Sequence, residues 1–276
     1  MCQENRPPDK ENRPPDMWKN SKKKTMKKKT ILKIILVVCL LAVATFASLL
    51  ARELYIDWKS KSFYDDFAGI ETRPHESAGQ NPNGNQDKPG GWQPYIDFDA
   101  LKEQYPDIVG WIKLDNTPIN YPVMQHTDND FYLSHLPNGT QHRNGSIFLD
   151  FRNNSDFSDK SILIYGHHTR TEDMFGIFKY YREQEFYDAN PVIELYTPEE
   201  DYKIVIFAGH LAHSVRDHPP LEFENDEEFL EYIRQIRNKS VFNSNVEVTA
   251  EDRIVSLVTC AYDFNEARLI LAGILA

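Results

Sequence analysis

Three patterns of apolar and polar residues follow one another along the chain. From Ile34 to Ala51 no charged residue occurs for 18 positions, and the run ILKIILVVCLLAVATFASLLA, residues 31–51, reaches 21 with Lys33 snorkelling toward an interface. About 20 apolar residues in a helix cross a hydrocarbon layer of about 30 Å, so 31–51 is expected to be a transmembrane anchor. Beyond it Leu54, Trp58, Phe63 and Phe67 recur at near-helical spacing, which predicts an amphipathic helix continuing out of the anchor. Residues 71–91, ETRPHESAGQNPNGNQDKPGG, carry almost no apolar side chains and much Pro, Gly and Asn. The segment 52–91 therefore reads as helix followed by flexible spacer.

From Trp92 the pattern changes to short apolar runs between turn residues. They are IVGWIKL (108–114), INYPVMQ (119–125), GSIFLDF (145–151), SILIYGH (161–167), VIELYT (192–197), YKIVIFAGH (202–210), RIVSLVT (253–259) and RLILAGIL (268–275). Eight short strands rich in Ile, Val, Tyr and Phe predict an α+β, mostly β domain over 92–276 that closes, or nearly closes, into a barrel. Helical character interrupts at 98–106, 174–187 and 224–238. In the last, Asn225 is placed to cap a helix with Phe229, Leu230, Ile233 and Ile236 on one face.

Charge divides the chain at the same place. Residues 1–51 hold nine Lys and two Arg against four acids, a balance of +7, so the formal net charge of −11 leaves −18 from Arg52 onward. A body so acidic has no basic face for nucleic acid. Lys22, Lys23, Lys24, Lys27, Lys28, Lys29 and Lys33 precede the anchor and mixed charges follow it. The positive-inside bias then puts the N-terminus in the cytoplasm and 92–276 outside, in a single-pass membrane protein. A cleaved signal peptide is the rival reading, but the only A-x-A-like site, Ala42-Val43-Ala44, lies in mid-run. The tandem ENRPPDK-ENRPPDM ending at Met17 is expected to belong to a disordered basic tail, residues 1–30, with Met17 and Met26 as further candidate starts.

Of three cysteines, Cys2 and Cys39 lie in the leader and Cys260 is alone in the body, so no internal disulfide framework forms there. Cys260 stands where the apolar run 254–259 ends and the loop 261–267 begins. A buried core cysteine is the bland reading. The chemical reading needs a partner to make the thiolate, and histidine is the usual one. His167 and His168 follow the strand SILIYG; successive strand residues face opposite ways, so one of the two can meet a site, and Gly166 allows close backbone approach. Arg268 opens the last strand eight residues after Cys260, and a hairpin would return its guanidinium beside the thiol, able to hold an oxyanion. Pairing of Arg268 with Asp263 or Glu266 is the alternative.

These residues carry a family resemblance. SLVTCAYDFNEARLILAG resembles the signature of sortases, with the cysteine, a loop and the arginine in order; SILIYGHHTRTEDMFGIFKYY resembles the strand that brings their histidine and selects His167. PDIVGWIKLDNTPINYPVMQHTDNDFYLSHLPNGTQHRNGSIFLDFRN resembles the class B branch, and the likeness covers Tyr95 to Ala276. It implies an eight-stranded sortase-type barrel with N-terminal helices and a helix between the sixth and seventh strands. It also implies a cysteine transpeptidase that cuts an N-P-x-T-like C-terminal sorting signal after threonine. Cys260 would attack the carbonyl, His167 would protonate the leaving amine and Arg268 would hold the oxyanion, with neither metal nor cofactor needed. The implied partners are surface proteins bearing the signal and an amine of a peptidoglycan precursor or cross-bridge, or a pilin lysine. Asn120, Met124, Tyr165, Val258 and Thr259 are the substrate contacts the resemblance offers. Val258, Ala261 and His218-Pro219 depart from well-known class B members, which leaves the recognised signal open.

Two other functions fit fewer features: a cell-wall cysteine peptidase that hydrolyses, and a surface-tethered binding barrel with Cys260 in its core. His210-x-x-His213 with His218 lacks a helical face to converge on a metal. Asp150, Asn153, Asn154, Asp156 and Asp159 do not match a calcium-loop order and read as a solvated turn. Tyr180, Tyr181, Phe186 and Tyr187 read as packing.

Overall fold

One long helix and eight short strands dominate the computed structural model. It describes residues 17–68, 96–169, 171–213, 217–260 and 267–276, and within these the side chains of all but 17–26, 65, 66, 68 and 260. The chain divides into two compact units, Met1–Trp58 and Lys59–Ala276.

Helix α1 runs from Met17 to Ala68. It is helical already through 17–30, where a disordered tail was expected. Within it Lys27–Tyr64 contains a window, wholly unburied, that is long and apolar enough to cross a membrane. Leu54 and Trp58 are exposed, whereas Tyr64 and Phe67, on the last turns, are buried in the second unit. Of the predicted stripe, Phe67 belongs to the second unit's core and Phe63 packs against it.

In the second unit come α2 (Phe98–Gln104), β1 (Ile108–Lys113), β2 (Asn120–Met124), β3 (Ile147–Leu149), β4 (Ser161–Tyr165), α3 (Gln184–Ala189), β5 (Val192–Tyr196), β6 (Asp201–His213), α4 (Asp226–Asn238), β7 (Ile254–Cys260) and β8 (Ala267–Leu275). The strands close a barrel in the order β1-β2-β3-β4-β7-β8-β6-β5. Two neighbouring pairs, β2·β3 and β4·β7, are parallel. Parallel pairing needs long crossovers, and the intervening loops and helices supply them. The expected helix over 174–187 is instead a 3₁₀ turn, Gly176–Arg182, followed by α3, because Glu183 between them is extended.

Alternation explains the core. Val255 and Leu257 of β7 and Leu269 and Leu271 of β8 point into the barrel, where they meet Ile112, Val123, Ile164, Leu195 and Ile204. Their neighbours Ile254 and Ala272 point outward under α4, which lays Phe229, Ile233 and Ile236 against them. Each such buried side chain contributes about 1.5–3 kcal/mol. Asn225 caps α4, its side chain accepting from Glu228 N at 3.0 Å, and Asp226, Glu227 and Glu228 complement the positive end of the helix dipole.

Candidate active site

Strand pairing brings together the three residues expected from the sequence to carry chemistry. In the parallel pair β4·β7, Tyr165 lies opposite Val258, and Gly166 N donates to Val258 O at 3.1 Å. Continued two residues further, the same register sets His167 level with Cys260, the last residue of β7. In the antiparallel pair β7·β8, Cys260 is directly opposite Arg268, and on the other side of β8 Arg268 faces Ala212 of β6. The loop 261–266 lies outside the described residues.

The chain around His167 is held from several directions. Its carbonyl accepts from Phe175 N at 3.0 Å, and a Cβ added at Gly166 would stand 2.6 Å from the Phe175 ring. Glycine is therefore required for the close packing that sets where the strand ends. The His167 Nε2 lies 2.7 Å from Leu133 O. A carbonyl only accepts, so Nε2 bears the hydrogen in this contact and Nδ1 is the basic nitrogen of the neutral ring. His168, by contrast, forms a bridge with Met174 and does not line the groove described next. The Arg268 guanidinium donates to Ala267 O at 3.0 Å.

His167 and Arg268 line a groove of about 260 Å³. Val258, Ala212 and Ile270, a small apolar cluster with Tyr165 packed on it, form its floor. Asn129, Leu133, His213 and His218 are among its walls. An apolar floor with a few fixed polar groups at the rim suits an extended peptide.

Of the expected substrate contacts, Tyr165, Val258 and Thr259 line this groove; Asn120 and Met124 do not. Asn120 accepts the Trp111 indole N–H at 2.7 Å and lines a different depression beside Tyr64 and Tyr121. Met124 has no exposure and packs between Trp111 and Phe148. The groove takes its amide and its aliphatic side chain nine positions later, from Asn129 and Leu133. The signal for them was present: the same spacing of four, placed after the strand where chain is free to line a groove rather than inside it.

The turn after β3 differs from its expectation too. Asp150 and Asn153 are buried rather than solvated. Asn153 Nδ2 donates to Ser161 O at 2.8 Å, and Asn154 N and Nδ2 donate to Asp159 at 2.6 and 2.9 Å, so these polar groups are hydrogen-bonded within the protein. Among the histidines of the weak metal reading, His213 and His218 line the groove, whereas His210 is buried and held neutral, its pKa pushed down to about 4 by burial and by Lys239.

No protein-family model matches the chain. Sortase B of Listeria monocytogenes is 31% identical over 251 residues, 90% of this chain and 98% of that protein. The chain belongs to the sortase B family. Sortase B of Staphylococcus aureus is 36% identical over 178 residues, 64% of this chain and 73% of its own length. Among solved structures, a Staphylococcus aureus sortase B–substrate complex superposes with a TM-score of 0.62 at 34% identity, covering 65% of this chain and 84% of that one. Clostridium perfringens sortase B does so at 0.61 and 34%, covering 65% and 99%.

Proposed function

We propose that this sortase B family member is a cysteine transpeptidase and that Cys260, His167 and Arg268 carry the reaction. The observation behind the reading is the strand register that sets Cys260 opposite Arg268 and level with His167, with His167 and Arg268 lining one groove. The Cys260 thiol passes its proton to His167 Nδ1, and the thiolate attacks the threonine carbonyl of an N-P-x-T-like sorting signal. The carbonyl oxygen takes the electron pair, and the Arg268 guanidinium offsets the charge on it. Collapse breaks the C–N bond; His167 gives its proton to the leaving amine, and a thioester to Cys260 remains. An incoming amine attacks the thioester, loses a proton to His167 and leaves with the acyl group as an amide, which frees the thiolate. The acceptor amine belongs to the cell wall or to a pilin lysine.

Water competes at the second step, so the enzyme must be held where acceptor amines are concentrated. The basic residues before 31–51 and the apolar helix support a membrane anchor with residues 92–276 outside. Tyr165, Val258 and Thr259, with Asn129 and Leu133, are the proposed peptide contacts.

The test is incubation of the full chain in detergent micelles with N-P-x-T-x and L-P-x-T-x peptides, with and without an added amine, read by mass spectrometry. Transfer predicts a new amide that scales with the amine. A product containing only the free acid at every amine concentration makes the protein a hydrolase. No product and no alkylation of Cys260 by iodoacetamide in the folded protein makes the barrel a binding module.

A further inference from the structure

A carboxylate stands behind the groove wall and takes part in no step above. Asp150 has no exposure and does not line the groove. Its Oδ1 accepts from Arg152 N at 3.0 Å and Arg152 Nε at 2.8 Å. Its Oδ2 accepts from Arg152 Nη2 at 2.7 Å, Tyr165 Oη at 2.9 Å and Asn129 Nδ2 at 3.0 Å. Two of these donors, Asn129 and Tyr165, line the groove and come from different parts of the chain.

An ionised carboxylate only accepts. Burial raises the Asp150 pKa, but hydrogen bonds from Arg152, then from Asn129 and Tyr165, outweigh it and hold the group at about 2. The Tyr165 hydroxyl is pushed far up by burial and then by the Asp150 charge, so it keeps its one hydrogen. That hydrogen lies toward Asp150 at 2.9 Å; His218 Nε2, 3.0 Å from the same oxygen, is a rival acceptor for it when His218 Nδ1 carries the ring hydrogen on Pro219 O at 2.8 Å, and the charged Asp150 is the stronger acceptor of the two. Asn129 is fixed the same way. Its Oδ1 accepts from Phe151 N at 3.0 Å, so the amide cannot turn over, and one Nδ2 hydrogen is on Asp150. A single N–H remains for a ligand.

We propose that Asp150 is a positioning residue of the groove: by taking one hydrogen each from Tyr165 and Asn129, it presents a bound peptide with one fixed acceptor and one fixed donor. Such a pair complements a peptide group or carboxamide, which carries both functions, and rejects a carboxylate, which only accepts. The inference rests on the groove being the peptide site.

Asp150→Asn in the full chain in micelles tests it, with two independent readouts. By NMR, one of the two Asn129 Nδ2 hydrogens exchanges slowly in the parent protein and both exchange rapidly in the variant; an unchanged pattern overturns the proposal. In transfer kinetics, KM rises about tenfold while kcat stays within about threefold. The parent's preference for N-P-x-T-x over D-P-x-T-x peptides falls from about tenfold to about twofold. A loss confined to kcat, or an unchanged KM and preference, overturns it. If Asp150→Asn does not fold, Tyr165→Phe replaces it: KM must rise while the slow Asn129 hydrogen persists, and an unchanged KM is fatal. Should the parent turn over no peptide, the transpeptidase reading fails, while the exchange measurement still decides whether Asp150 positions Asn129.

Discussion

The outer face of the β6–β8–β7 sheet is one surface put to two uses. Toward one end, Phe207, Ala208, Ile254 and Ala272 are sealed under Phe229, Ile233 and Ile236 of α4. Toward the other, Ala212, Val258 and Ile270 floor a groove whose walls include the polar side chains of Asn129, His167, His213, His218 and Arg268. The sheet supplies small and branched apolar residues in both places, so what distinguishes them is the cover. A helix with an apolar stripe makes a dry, stabilising contact. Loops with hydrogen-bonded polar groups leave room for a ligand and for chemistry. Substitutions in the two halves should therefore separate stability from rate.

The largest effect is expected at the groove. Cys260→Ala should lower kcat/KM by at least about 10,000-fold, equivalent to about 5.5 kcal/mol of transition-state stabilisation, with an unchanged melting temperature. His167→Ala should cost about 100- to 10,000-fold, and Arg268→Ala about 100- to 1,000-fold. Steady-state transfer assays beside thermal melts check all three. A near-normal rate in any of them removes that residue from the mechanism.

Under α4 the pattern should invert. Phe229→Ala removes a fully buried ring and should lower unfolding free energy by about 3–5 kcal/mol. The kcat/KM of the folded fraction should stay within about twofold, since no Phe229 atom lines the groove. Urea unfolding with parallel kinetics decides it, and a large rate loss at full folding would mean the two halves are coupled.

His210 lies between them. Alternation puts it on the same face as Ala208 and Ala212, with Ile270 as its cross-strand neighbour. Its Nδ1 meets no hydrogen-bond partner among the described residues. Folded, it gains its proton only near pH 4, whereas unfolded it does so near its ordinary value of 6.5. Below about pH 6.5 the unfolded chain therefore binds the extra proton, so stability is full above that pH and falls by about 3 kcal/mol as pH drops toward 4. Urea midpoints across pH 7 to 4 measure the slope, and His210→Leu should flatten it. A slope that survives the substitution places the titration elsewhere.

How much of this was legible in the sequence follows from the range of the forces involved. Strands such as 253–259 and 268–275 are short apolar runs bounded by turn residues, so they could be located, and the short link of seven residues between Cys260 and Arg268 already implied their pairing. The N-cap at Asn225 is equally local. The Asp150 contacts are not: Asn129, Arg152 and Tyr165 meet it only after β3 and β4 pair, and an acidic, Asn-rich stretch looks solvated until a barrel closes over it. The misplacement of Asn120 and Met124 has the same origin. Both belong to a strand whose neighbours, Trp111 and Phe148, are contributed by β1 and β3.

The smallest effect is the most discriminating test of the two-use surface, because it touches only the frame of the cover. Asn225 is extended, at φ −162° and ψ 173°, and its Oδ1 takes the otherwise unpaired Glu228 N–H. Asn225→Ala leaves that donor to solvent and should cost about 1 kcal/mol. For a domain of this size that is a melting shift of about 2–4 °C. Asn225→Asp retains an acceptor and adds negative charge at the helix start, so it should melt at or slightly above the parent. If α4 only seals its half of the sheet, both variants share the parent's KM and kcat while their melting temperatures diverge. A KM that follows the melting temperature would mean instead that α4 helps to hold the groove's floor in place.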